Sequence, residues 1–356
     1  MSRFSSKLLI PALLSIALPA AAQDDPPFPP AASPTPAAPE APASTTLELS
    51  CSAPAEAKVG TLVALTVKLV NAGEAAVELP KLAEDEQLVS FDVQLDDGKT
   101  FVYARITDSP YKQKTDWELG KLEPGASWEL QVNLPVLTTG VLGVTAHYGR
   151  KPAPELVVQP KHVTAKPIAI KLVPDGDKDE VSVRMRTSYG PIHARLYPRE
   201  ALGTSLHMAR LILEGGDVDG QQRTPFFQGL TFHRVVRGFV IQGGCPLGTG
   251  MGDPGYSIPA EFGEKGEDGK VRAKLRHVPG KLSMARSGHP NSAGSQFFVC
   301  VGVASSLDGQ YTVFGEVTRG MDVAYTISEA PADDKDKPLE DVVIEAIELR
   351  PVKGTN

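Results

Sequence analysis

"GLTFHRVVRGFVIQGG", Gly229 to Gly244, sets Phe232, Val235, Val236, Phe239, Val240 and Ile241 around a histidine, two arginines and a glutamine. A guanidinium taken out of water is costly unless it has a partner or a task. The run reads in one of two ways. It is a strand with one wet face, or it lines an apolar pocket with polar groups aimed at a substrate. Side chains alternate across a strand. Arg234 lies five residues before Phe239 and eight before Gln242, so Arg234 and Gln242 share a face only if the turn at Gly238 preserves the register.

Outward from this run, the C-terminal half reads as many antiparallel strands. "VSVRMRTSYGPIHARLYP", from Val181, forms a hairpin about Gly190-Pro191. Leu202, Leu206, Ala209 and Leu213 follow helical spacing; Thr204 is placed to cap that helix and Gly215-Gly216 stops it. Further strands are expected at 231–235, 238–242, 281–285, 296–301 and 312–317, a short helix at 321–328 and a last strand over 341–349. Many antiparallel strands with two helices predict a small closed barrel capped at its ends.

The N-terminal half has a different texture. Val63, Leu65, Val67 and Leu69 alternate with polar residues, as do Trp128, Leu130, Val132 and Leu134, and again Leu142, Val144, Ala146 and Tyr148. Turn signals at Asn71-Ala72-Gly73, Asp96-Asp97-Gly98 and Pro124-Gly125 separate such runs. About seven short strands at this spacing predict a two-sheet β-sandwich over residues 47–173. The pattern resembles the immunoglobulin-like modules of exported bacterial proteins. His147 and Asp116 stand alone there and read as surface residues, which leaves the module as a spacer or a binding surface. "VPDGDKDE", Val173 to Glu180, is a polar, turn-rich boundary before a domain over 178–350.

At the N-terminus Arg3 and Lys7 precede the apolar run Leu8 to Leu18, and Ala20-Ala21-Ala22 fits a small-residue cleavage site. Residues 1–22 are therefore expected to be an export signal cut before Gln23. Residues 23–46 are mostly Pro and Ala and form a tether. Export places the protein in the periplasm of a Gram-negative host, or outside the cell otherwise. No later stretch is long enough for a transmembrane helix, so no stable membrane insertion is expected after cleavage. A net charge of -7 and a pI near 5.6 argue against nonspecific nucleic-acid binding, which needs a basic surface. The three cysteines, Cys51, Cys245 and Cys300, are odd in number, so at least one thiol has no partner in the chain. Cys245 and Cys300 are a candidate pair that the sequence alone does not place together. No spacing marks a metal site, and no cofactor is expected.

Four stretches carry the strongest signal: "FHRVVRGFVIQGG" from Phe232, "PLGTGMGDPGYSIPAEF" from Pro246, "KLSMARSGHPNSAGSQFFV" from Lys281 and "SLDGQYTVFGEV" from Ser306. In this order and at this spacing they resemble the cyclophilins, over Val181 to Leu349. The resemblance implies a closed antiparallel eight-stranded β-barrel with two capping α-helices, and peptidyl-prolyl cis-trans isomerase activity. The expected fold class is thus mainly β, an immunoglobulin-like sandwich followed by that barrel.

Carried over residue by residue, the resemblance makes Arg234 the catalytic donor to the twisted amide. Phe239 is a wall of the proline pocket, and Gln242 holds the substrate backbone and orients Arg234. Val240 stands where methionine is usual. Ala285 and Arg286 run along the substrate backbone; asparagine is common at Arg286, and an arginine there favours acidic residues near the proline. Gln296 carries over, Phe298 floors the pocket, and Leu307 and Tyr311 close it, Tyr311 where many members have histidine. Gly248 and Thr249 belong to a glycine-rich loop beside the site, which lacks the lysine and strand-to-helix context of a phosphate cradle. Ser306 replaces a tryptophan of several members, which predicts weak cyclosporin binding. His233 is expected to be structural, Arg237 solvated and Cys245 packed and inert. Phe297 and Phe298 should face opposite ways, one to the core and one to the pocket. The implied partners are proline-containing unfolded or exported polypeptides. Two alternatives are a non-catalytic scaffold that grips proline peptides and an envelope-binding protein acting through its N-terminal module.

Overall fold

In the computed structural model the described residues are 46–82, 88–105, 119–149, 162–218, 221–265 and 271–354. The export signal and its cut, nearly all of the tether, and Asp116 lie outside them. Alternation along Leu62–Asn71 buries Val63, Leu65, Val67 and Leu69 on one face. That strand pairs antiparallel with Leu47–Ser52 on one side and Ser127–Pro135 on the other. A second sheet runs in the order Glu56–Lys58, Ile168–Val173, Gly140–Tyr148, Val89–Gln94 and Thr100–Ala104, with Val163–Thr164 also paired to Gly140–Tyr148. Its Leu142, Val144, Ala146 and Tyr148 join the same apolar cluster as the first sheet. The region is β-rich, with two sheets facing a shared core. His147 is not the surface residue expected: it is buried, with Nδ1 3.0 Å from Thr164 Oγ1 and Nε2 3.1 Å from Asp92 Oδ2. Two such partners offset the cost of burying an imidazole.

The C-terminal half contains a nine-stranded sheet. Its path is Leu230–Thr231, Val343–Val352, Glu180–Thr187, Gly190–Leu196, Val313–Arg319, Lys281–Met284, Phe297–Cys300, Val240–Gly243 and Arg234–Val236. The path does not close, which corrects the closed eight-stranded barrel. The expected strand 231–235 is broken at Phe232-His233. Leu230–Thr231 hydrogen-bonds at one end of the sheet and Arg234–Val236 at the other, so two residues of chain, rather than a ladder, join the ends. Among the described residues there are two α-helices, α1 (Leu202–Glu214) and α2 (Met321–Ser328). Neither is long and apolar enough to cross a membrane. Thr204 does not cap α1: the helix starts two residues earlier, and Glu261 caps it from a distant loop. The Glu261 carboxylate accepts the Gly203 N–H at 3.0 Å, the Thr204 N–H at 2.8 Å and the Thr204 hydroxyl. An anion at a helix N-terminus satisfies free N–H groups and meets the positive end of the macrodipole.

Ser44–Asn356 is one compact unit. Within residues 173–180 Asp175 and Lys178 close a turn by exchanging backbone hydrogen bonds of 2.9 and 3.2 Å. Just beyond, the Val181 N–H donates to Leu137 O at 3.1 Å and the Thr139 N–H to Asp179 O at 3.2 Å, stitching the two halves. Helix α1 is buried from Leu202 to Leu211, packed against Thr100–Ala104 and Ser127–Pro135 of the N-terminal half as well as Val343–Val352 of the nine-stranded sheet. Gly203 allows this closeness, since a Cβ there would lie 2.8 Å from Val102 O.

Candidate active site

The turn Arg237-Gly238-Phe239 joins Arg234–Val236 to Val240–Gly243, with Gly238 at φ 69°. Three residues, the middle one left-handed, keep the register. Arg234 therefore lies directly opposite Gln242, and Gln242 opposite Phe298 on the next strand. Directly opposed residues share a face. Val240 and Cys300 are likewise opposed, two residues along on that same face. The other face carries Val235, Ile241, Phe297 and Val299 into the main core. Phe297 and Phe298 thus face opposite ways, Phe297 into the main core.

On the first face Val240, Ala285, Phe298 and Cys300 form a second apolar cluster, separate from the main core, with Phe239, Leu307 and Tyr311 packed against it. The Phe298 and Tyr311 rings meet edge to face at 5.9 Å. His277, which the sequence reading missed, stacks on Phe298 at 5.9 Å. Its Nδ1 is 2.9 Å from Asp308 Oδ1 and its Nε2 3.0 Å from Ser283 Oγ. Burial lowers the pKa of His277, and Asp308 opposes that shift. Nothing in "KLRHVPG" marks this histidine, because the residues it supports are distant in sequence.

The polar groups ring this cluster. Gln242 Nε2 donates to Gln296 Oε1 at 3.1 Å, and Gln296 Nε2 donates to the carbonyls of Gly250 and Gly252 at 2.8 and 2.9 Å. Gln296 thus ties the glycine-rich loop to the strand bearing Gln242. Gly248 and Thr249 lie on that loop, outside the apolar cluster. Arg234 is half-exposed and ion-paired: Nε and Nη2 lie 3.3 and 3.2 Å from Asp336 Oδ2. Arg237 is 79% exposed, in a surface pair with Glu329 at 2.7 Å. His233 is buried, and burial lowers its pKa. Arg286 Nε donates to Gln310 O at 2.9 Å, and its guanidinium carbon lies 4.5 Å from the Tyr311 ring centroid.

All three thiols are free and buried, so Cys245 and Cys300 do not form the candidate disulfide. Cys245 Sγ accepts the Gly252 N–H at 3.2 Å. Burial, aided by Asp308, pushes the Cys300 thiol up to about 12, and burial pushes Cys51 to about 11. Neither is a thiolate near neutral pH, so neither is a nucleophile.

Residues 182–349 match the family model described as cyclophilin type peptidyl-prolyl cis-trans isomerase/CLD. The Arabidopsis thaliana peptidyl-prolyl cis-trans isomerase CYP18-2 is 37% identical over 172 residues, 48% of this chain and 93% of that protein. The chain belongs to the cyclophilin family. Its C-terminal half is a cyclophilin-type peptidyl-prolyl cis-trans isomerase domain. Peptidyl-prolyl cis-trans isomerase B of Bacillus subtilis is 41% identical over 150 residues, 40% of this chain and 92% of that cyclophilin. The isomerase cyp15 of Rhizopus delemar is 40% identical, but the match spans only 24% of its length. A crystal structure of a Cryptosporidium parvum cyclophilin in the presence of the dipeptide Ala-Pro aligns with a TM-score of 0.40 and 28% identity, over 49% of this chain and 99% of that one.

Proposed function

We propose that the whole chain is an exported folding catalyst that speeds rotation about X-Pro bonds, with Arg234 as the donor to the twisted amide. The observation that carries this reading is the second apolar cluster, set apart from the core and bordered by Arg234, Gln242 and Gln296. An X-Pro amide rotates over a barrier of roughly 18–20 kcal/mol, because the nitrogen lone pair is delocalised into the carbonyl. In the twisted state the lone pair is localised on nitrogen and the carbonyl is less polar. An apolar site favours that state, and a guanidinium N–H aimed at the prolyl nitrogen favours it further. Phe239, Phe298, Leu307 and Tyr311 would hold the proline ring. Gln242 and Gln296 would hold the substrate backbone, beside Ala285 and the loop of Gly248 and Thr249. Arg234 Nη1 has no hydrogen-bond acceptor among the described residues and is the group left to donate.

The alternating strands 62–71, 127–135 and 140–148, packed across one core, support an immunoglobulin-like reading of the N-terminal region. The export run Leu8–Leu18 supports action on exported polypeptides, and Ser306 supports weak cyclosporin binding. The test is exchange NMR on a short X-Pro peptide with the full chain, wild type beside Arg234→Ala. A charge-assisted hydrogen bond contributes about 1.5–3 kcal/mol. The variant should therefore turn over about tenfold to a hundredfold more slowly. Equal rates in the two proteins would remove Arg234 from the mechanism. Peptide binding without acceleration in either would leave a proline-peptide scaffold.

A further inference from the structure

We propose that Arg286 makes this isomerase selective for X-Pro segments that carry an Asp or Glu within two residues of the proline. The inference rests on the pocket being the isomerase site. Arg286 is anchored on several sides. Its Nε donates to Gln310 O at 2.9 Å, and its Nη1 donates to the carbonyls of Ser287 and Gly288 at 2.8 and 3.2 Å. The guanidinium carbon lies 4.5 Å from the Tyr311 ring centroid and 5.4 Å from that of Phe262. Three carbonyls and two rings hold it, so a ligand that binds it orders little new side-chain freedom.

These anchors are neutral. Arg234, Arg237, Arg195 and Arg210 each have a carboxylate partner, Asp336, Glu329, Glu316 and Glu214. Arg286 has none among the described residues, and its Nη2 has no hydrogen-bond acceptor there. A full positive charge with two unspent donors thus stands one ring away from the apolar cluster, since Tyr311 packs on both. Its chain neighbour Ala285 is itself part of that cluster. An extended peptide advances about 3.3–3.6 Å per residue. An acid one or two residues from a proline held in the cluster therefore comes within reach of Nη2. A carboxylate is the side chain whose geometry and charge match those donors.

The experiment uses the full chain and a set of X-Pro peptides with Glu or its neutral isostere Gln at each of the two positions before and after the proline. Catalytic efficiency by exchange NMR and binding by peptide titration are measured on the same samples. At one position or more, Glu should exceed Gln by about threefold to tenfold, the range for a half-exposed charged hydrogen bond. That ratio should fall toward one in Arg286→Asn, stay partial in Arg286→Lys, and shrink in the wild type as salt screens the pair. Each ratio compares two peptides on one protein, so a general loss of activity divides out. A Glu-to-Gln ratio near one in the wild type, or an equal ratio in Arg286→Asn, overturns the proposal. If no peptide is accelerated, the isomerase reading fails, and the binding ratio still decides the preference.

Discussion

The proposed donor role of Arg234 is compatible with its ion pair because a guanidinium has two edges. Asp336 takes the Nε edge, and Nη1 has no acceptor among the described residues. His207 on α1 is fully enclosed, with Nε2 2.8 Å from Gly294 O and its ring edge-on to Tyr256 at 5.4 Å. Burial is the main cause that pulls its pKa down from 6.5 to about 3. A histidine with a depressed folded-state pKa binds fewer protons folded than unfolded between those two values. Stability from this group is therefore complete above about pH 6.5 and declines as pH falls toward 3. The slope contributed is at most ~1.4 kcal/mol per pH unit. Urea midpoints measured from pH 7 to pH 4.5 should fall in the wild type and fall less steeply in His207→Gln. Parallel curves would show that His207 does not set the acid limit.

Among elements, the loop after α2 is built to present one carboxylate. Asp333 Oδ1 accepts the N–H groups of Lys335 and Lys337, each at 2.9 Å, and folds the loop on itself. Asp336 then takes φ 63°, left-handed, and it is the one described non-glycine residue with positive φ. Its carbonyl accepts the Val235 N–H at 2.7 Å, which ties the loop to the strand that carries Arg234. Aspartate tolerates this conformation better than most residues, but glycine adopts it without steric cost. Asp336→Gly should thus hold or raise the urea midpoint while removing the partner of Arg234. Because the pair is half-exposed, we expect the isomerisation rate to drop only about twofold to fivefold. Asp336→Asn keeps the backbone and loses the charge, and should slow to a similar extent. Unchanged rates in both variants would make the loop a purely structural tie.

At the scale of the molecule, the N-terminal sheets and the isomerase domain are one body between Ser44 and Asn356. Tyr103 Oη lies 3.3 Å from Arg210 Nη1, Asn133 donates to Glu214, and Arg199 pairs with Asp96 at 2.8 Å, all across the two halves. Removing the N-terminal half would expose an α1 face that is now buried. Both tryptophans, Trp117 and Trp128, belong to the N-terminal half. Tryptophan emission therefore reports one half and isomerase activity the other. In urea the two signals should share a midpoint, as for a cooperative two-state body. Separate midpoints would mean that the halves unfold independently.

The period-two alternation at 62–71 and 140–148, the hairpin of Glu180–Thr187 with Gly190–Leu196 (its turn at Ser188-Tyr189, two residues before the expected Gly190-Pro191) and the helix at 321–328 were legible because each is specified by neighbouring residues. The ordered motifs also named the apolar cluster, since Phe239, Val240, Ala285, Phe298, Leu307 and Tyr311 all meet there. What stayed hidden depends on contacts between residues far apart in the chain. Glu261 caps α1 from 57 and 58 residues away, Asp336 reaches Arg234 across 102, and His277 supports Phe298 from another segment. The same holds for the open ends of the sheet, which hydrogen bonding decides and alternation does not report. By itself the sequence determined which residues alternate, turn and gather in the second apolar cluster. Only the tertiary structure decided which distant charges those residues meet, because a hydrogen bond or ion pair depends on distance in space and leaves no period in the chain.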